Sequence, residues 1–281
     1  VHEIVEYWGM NPGEVFQNWV HDKIAERGCG TTAELIKRMN AFPRSMTVAG
    51  EAVNMKDLPA ALKVVATEIT TASKIVFPDM APMFYSDADN RSPASFVRAS
   101  MAVPYFFEPV RLRRLPRDNA AREGWKTIGF EGEPPTEAIF LDGGLLSNFP
   151  ISLFHSHRVP RLPTFGAKLG ESRRAAKPIG SALAMGGAMF NASRQAADLD
   201  FIWRNPDYKR VIAAIELDGD GDSKDDVHWL NFKLSNDDKR LLFRAGVRAA
   251  RDFLFGNDQR GWERFDWKGY KKARRKLVEA E

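Results

Sequence analysis

Apolar residues along this chain recur at two different periods, and the switching between them sets out an α/β fold. Val15, Phe16, Trp19, Val20 and Ile24 fall on one face of a helix that opens after Pro12-Gly13 and stops at Gly28 to Gly30. Thr31-Thr32-Ala33-Glu34 has the spacing of a capping box, with Thr31 as cap and Glu34 reaching back, so a second helix starts there. Leu62 to Thr67 and Ile75 to Phe77 are short apolar runs that predict strands. The Met-, Pro- and Asp-rich stretch from Pro78 to Pro93 predicts a surface loop, and Ser92-Pro93 a helix start that carries Arg98 and Ser100. Val110 to Gly132 predicts a strand with a peripheral hairpin, and Ala138 to Leu141 a buried strand. Beyond it come a strand at Leu162 to Leu169, a long helix at Ile179 to Ile202 and a strand at Val211 to Leu217. A last helix runs from Ser235 to Phe255, with Ser235 as cap and Asp238 at its third position. Strands alternating with helices predict a layered α/β domain, and no internal repeat interrupts the pattern.

Composition narrows the function. A length of 281 residues with 44% hydrophobic side chains supports a sizeable core. The net charge of +4, from 41 basic and 37 acidic residues, is too mild to call for a nucleic-acid partner. The single cysteine, Cys29, rules out an internal disulfide and fits a reducing compartment, so a cytoplasmic protein is expected. No apolar run is long enough to span a bilayer, and Gly180 to Phe190 comes closest. Asp218-Gly219-Asp220-Gly221-Asp222 has the opening of a calcium loop. It then places Ser223 where glycine is needed and Trp229 where the bidentate glutamate belongs. Neither a metal nor a cofactor is expected. The tail from Trp262 to Lys276 interleaves Trp262, Phe265, Trp267 and Tyr270 with seven basic residues. It divides residues 262–281 from residues 1–261. Such a segment either lies on an anionic membrane surface, giving peripheral membrane contact, or packs its aromatic side on the domain; charged faces of this kind are commonly just solvated.

The candidate chemistry sits at Phe140-Leu141-Asp142-Gly143-Gly144, followed by Asn148-Phe149-Pro150-Ile151. The C-terminal end of a strand is where α/β proteins display reactive groups. Gly143 and Gly144 let a neighbouring segment approach closely, and Asn148 to Pro150 predict a helix start. An Asp held this way is a candidate general base. A plain strand, turn and helix with an acid in the turn would carry the same residues.

Upstream, Arg98-Ala99-Ser100-Met101-Ala102-Val103-Pro104-Tyr105-Phe106-Phe107-Glu108-Pro109 forms an R-A-S-x-A-x-P-x-F-F-x-P run, and the D-G-G stretch extends to D-G-G-x-x-x-N-x-P-I. Together, in this order, they resemble the patatin-like phospholipase family, and weaker similarity extends from Asn11-Pro12-Gly13 to the segment from His228 to Phe255. The resemblance implies a three-layer α/β sandwich with a central, mostly parallel sheet. It implies hydrolysis of phospholipid, lysophospholipid or other acyl esters by a Ser–Asp dyad, with Asp142 as base and Gly143 and Gly144 supporting its loop. The family's nucleophile lies in a G-x-S-x-G elbow behind a Gly-rich oxyanion loop, and no serine of this chain has glycines two residues away on both sides. The expectation is that these residues are the C-terminal portion of the catalytic domain. The nucleophile would then lie ahead of Val1 or on a second chain, and the 281 residues alone would be inactive. A catalytically inactive lipid-binding or regulatory module of the same fold stays open beside the enzyme.

An Asp is a weak base at its usual pKa of about 3.9, and apolar surroundings such as Phe140, Leu141, Leu145, Leu146 and Phe149 raise it. His155 and His157 are placed at a helix end rather than in the mechanism, and Ser100 within a helix as a packing residue. Met185, Met189 and Phe190 on the long helix, with Met80, Met83 and Phe84 on the loop, are candidates to line an acyl trough; at helical spacing the same residues also suit an ordinary core.

Overall fold

The computed structural model describes residues 6–41, 45–48, 50–54, 61–170, 179–216, 233–258 and 263–280. The fold is α/β, with parallel and antiparallel sheets. Two compact units divide the chain. The first holds residues 1–150 and 189–197, the second residues 151–188 and 198–281.

The first unit is built on a four-stranded antiparallel sheet. Its strands are β4 (Val64–Glu68), β5 (Ser73–Phe77), β7 (Val110–Arg113) and β8 (Glu137–Asp142), in the order β5-β4-β8-β7. Strand β1 (Gly9–Asn11) pairs in parallel with β6 (Tyr105–Phe107), and β2 (Ser45–Val48) pairs antiparallel with β3 (Glu51–Asn54). Helices α1 (Glu14–Ala25), α2 (Thr32–Met39), α3 (Pro93–Ser100) and α4 (Asn119–Thr127) complete the unit.

Core packing in this unit is largely aromatic. Phe77 stacks on Phe96 with centroids 4.6 Å apart, and Phe84 meets Phe140 edge-on at 4.9 Å. The Pro78 to Pro93 stretch is therefore not the surface loop its Pro and Asp content predicts. Two short 3₁₀ turns fold Met83, Phe84 and Tyr85 into the core. The run of apolar side chains from Met80 to Tyr85 outweighs the turn formers around it. The hairpin expected before Gly132 is also replaced, by α4. Asp118 Oδ1 accepts from Ala121 N at 2.9 Å, and Ala121 and Trp125, one turn apart, are both buried. The buried Glu68 carboxylate at the end of β4 is satisfied by donors from Thr70, Thr71 and Ile139, which fixes it as a structural anchor.

Helix α1 forms as its periodicity predicts, yet its apolar stripe is not buried among the described residues: Val15 is 84% exposed and Trp19 56%. The capping box of α2 is present, with Thr31 N donating to Glu34 Oε2 at 3.0 Å and Glu34 N to Thr31 Oγ1 at 3.2 Å.

The second unit pairs β9 (Gly166–Gly170) in parallel with β10 (Ile212–Glu216), and α6 (Asn236–Phe255) packs against β10. The Ser235–Asp238 capping box opens α6 as expected. The long helix α5 (Ala182–Arg204) belongs to the second unit at both ends and to the first over residues 189–197. The last helix, α7 (Trp267–Ala280), turns Tyr270 and Arg274 inward and leaves Lys268, Lys272, Arg275 and Lys276 exposed. Arg274 thus does not belong with the surface cations of the tail. The Asp218 to Asp222 cluster lies outside the described residues.

Candidate active site

Asp142 is the last residue of β8, opposite Ala66 of β4. Three neighbours fix its backbone and side chain. Asp142 N donates to Ala102 O at 2.9 Å, Thr67 Oγ1 donates to Asp142 O at 2.9 Å, and Gly144 N donates to Asp142 Oδ1 at 2.6 Å. Ala102 belongs to the R-A-S-x-A run, so the two sequence motifs meet at the Asp142 backbone. The same run is anchored from below. Buried Arg98 donates through Nε to Pro12 O at 3.1 Å and through Nη2 to Glu108 O at 2.7 Å, tying α3 to the Asn11-Pro12-Gly13 segment.

Gly143 and Gly144 begin a 3₁₀ turn, Gly143–Leu145, directly after the Asp. A side chain at 143 would run into the carbonyl of Val65, so the turn can lie on β4 only with glycine there. Gly143→Ala is expected to cost about 1–3 kcal/mol through that overlap. A thermal melt checks the loss, and an unchanged melting temperature would mean the loop has slack that the packing does not show.

Burial pushes the Asp142 carboxyl above its ordinary 3.8, while the Gly144 N–H and the Arg194 guanidinium pull in the opposite direction. An acid raised by its surroundings is a better proton acceptor once ionised. Arg194 comes from α5, and its Nη2 donates to Asn148 Oδ1 at 2.8 Å. Next to it, Ser193 Oγ donates to Leu145 O at 3.2 Å. The helix predicted from Pro150 is only a 3₁₀ turn, Ile151–Phe154, after which the chain is irregular to Phe165.

Asp142, Gly143 and Gly144 therefore form one compact loop, with Thr67, Ala102, Asn148 and Arg194 around it. Sequence reasoning missed Arg194, which lies 52 positions after Asp142 (194 minus 142) in a helix whose pattern announces only packing. Ser100 lies on α3 and is half-buried. His155 is engaged elsewhere: its Nδ1 lies 3.1 Å from Tyr208 Oη and its Nε2 2.9 Å from an Arg274 nitrogen. Met185 and Met189 are 50% and 65% exposed, and the side chain of Phe190 is outside the described residues. Met83 and Phe84, offered with them as a lining, are core residues. Among the described residues no group of three or more His, Cys, Asp or Glu gathers as a metal site, and no helix is long and apolar enough to cross a membrane.

Asp142 is thus a strand-end carboxylate held in a glycine turn on an α/β scaffold. The chain belongs to the patatin-like phospholipase family, whose model matches residues 2–155. That match opens at residue 2 and so lends no support to a nucleophile ahead of the chain. The chain is also 27% identical over 252 residues to the uncharacterized protein YqhO of Bacillus subtilis, a match covering 88% of this chain and 69% of that relative. No solved structure gives a significant match.

Proposed function

We propose that this protein is the Asp-bearing portion of a lipid acyl ester hydrolase, of phospholipase or lysophospholipase type. Residues 1–261 form the C-terminal part of the catalytic domain, and residues 262–281 are a basic, aromatic C-terminal helix or tail. The observation that carries the reading is Asp142 itself: a family-motif residue at a strand end, its backbone held by Thr67 and Ala102 and its carboxylate by Gly144, with its pKa raised by burial. In this scheme a serine supplied from outside this chain attacks the acyl carbonyl. Asp142 takes the serine proton and returns it to the departing alcohol. Water then cleaves the acyl-serine with Asp142 again as base. Exposed Met189 of α5 contributes apolar surface for the acyl chain. The protein works in the cytoplasm and meets lipid at the membrane periphery, with the exposed cations of α7 facing anionic headgroups.

The pH dependence tests the assignment. A base must be ionised, so kcat/KM of the native protein falls as pH drops through the Asp142 pKa, and the midpoint of that acid limb lies above 3.8. An acid limb centred at or below 3.8 would detach Asp142 from the rate.

The absence of any G-x-S-x-G in the 281 residues favours a second reading, an inactive lipid-binding or regulatory module. The two separate on ester turnover by the native gene product: a module binds lipid vesicles without hydrolysing them.

A further inference from the structure

We propose that Arg194 is a positioning residue for the general base: bound to Asn148, its guanidinium locks the turn that presents Asp142 and directs a positive charge at it. The proposal rests on the reading of Asp142 as the base.

Two adjacent residues of α5 grip the same short loop. Ser193 Oγ holds Leu145 O at 3.2 Å, and Arg194 Nη2 holds Asn148 Oδ1 at 2.8 Å. The Asn148 and Asp142 side-chain oxygens both flank Gly144: a Cβ built on that glycine would lie 3.2 Å from Asn148 Oδ1 and 2.7 Å from Asp142 Oδ1. The order is therefore Arg194, Asn148, Gly144, Asp142. Among the described residues, the other groups that touch Asp142 are uncharged. Strand β4 contributes the Thr67 hydroxyl, the segment after α3 the Ala102 carbonyl, and the glycine turn the Gly144 N–H. Arg194 is the charged group that acts on the carboxyl, and it favours the ionised form against the desolvation that opposes it. A carboxylate raised by burial alone would stay protonated to higher pH; a guanidinium at this place keeps it available as a base. Arginine suits the task, because its charge persists at any working pH and its planar fork can hold an amide oxygen while facing a carboxylate.

The test separates a charge effect from a structural one. In this chain, with ¹³C-labelled aspartate and the Asp142 signal assigned by its loss in Asp142→Asn, carboxyl titration is followed by NMR. Arg194→Gln is expected to shift the Asp142 midpoint upward. Arg194→Lys restores most of it, and Ser193→Ala, which removes a loop tie and keeps the charge, leaves it in place. An Asp142 midpoint unmoved by Arg194→Gln, or moved equally by Ser193→Ala, overturns the proposal. The titration needs no turnover, so the two readings fail separately. A shifted midpoint in a native protein that hydrolyses no ester defeats the hydrolase reading alone. An unshifted one in an active enzyme defeats this proposal alone.

Discussion

Asp142→Asn is expected to abolish ester hydrolysis by the native protein and to leave its fold intact. The amide keeps the shape of the carboxyl and still offers an oxygen to the Gly144 N–H. It cannot accept the serine proton. General-base catalysis supplies about 10²- to 10⁴-fold of rate, and that factor is the size of the expected loss. Stability moves the other way. The folded-state pKa of Asp142 is raised. The carboxyl therefore contributes stability that is fully present below its unfolded pKa and lost as pH rises through the folded value. At neutral pH the buried charge is a cost, which the amide removes. The variant should melt at or above the parent temperature at pH 7, while kcat collapses. Near-normal turnover in Asp142→Asn would remove this residue from the mechanism.

Arg274→Ala is expected to give the largest loss of stability in the second unit, about 3–5 kcal/mol, because it strands a buried carboxylate. Arg274 is 1% exposed and acts as a hub. Nη1 donates to Asn205 Oδ1 at 2.9 Å, and Nη2 reaches His155 Nε2 at 2.9 Å and Ser156 O at 3.0 Å. Asp207 Oδ1 lies 3.8 Å away and is also buried. Arginine has no lone pair to offer, so His155 Nε2 must be the acceptor. That fixes the His155 proton on Nδ1, where it can be given to Tyr208. Burial already pushes the Asp207 carboxyl up, and Arg274 is the main charge holding it down. Alanine removes the cation and leaves the acid without compensation. Urea unfolding measures the loss. Replacing both partners, Arg274→Met with Asp207→Leu, should cost far less than the single change, because no buried charge remains. Equal costs for the single and double variants would show that the pair is not coupled.

Much of the site was legible in the sequence because it is local. An apolar run ending in Asp and two glycines can hardly be anything but a strand meeting a tight turn, and the capping boxes at Thr31 and Ser235 are read from four consecutive residues. The inward fold of the turn from Met80 to Tyr85 is not legible, because proline and aspartate signal a loop without saying whether its apolar residues fold inward; tertiary packing decides that. Trp125 is not legible as a core residue, because the Asp118 cap sits among polar residues that suit a hairpin equally well. Arg194 and Arg274 were beyond reach for a different reason. A charged residue on a helix is almost always solvated, and only the fold brings Arg194 to Asn148 or seals Arg274 among Asn205, His155 and Asp207.

The most direct test of the central claim is covalent labelling of the native gene product with a fluorophosphonate, read by peptide mass spectrometry. If Asp142 serves a serine supplied from outside this chain, the label falls on a serine in a G-x-S-x-G sequence outside the 281 residues, and Asp142→Asn suppresses it. A label on Ser100 or any other serine of this chain, or labelling undiminished by Asp142→Asn, would contradict the account.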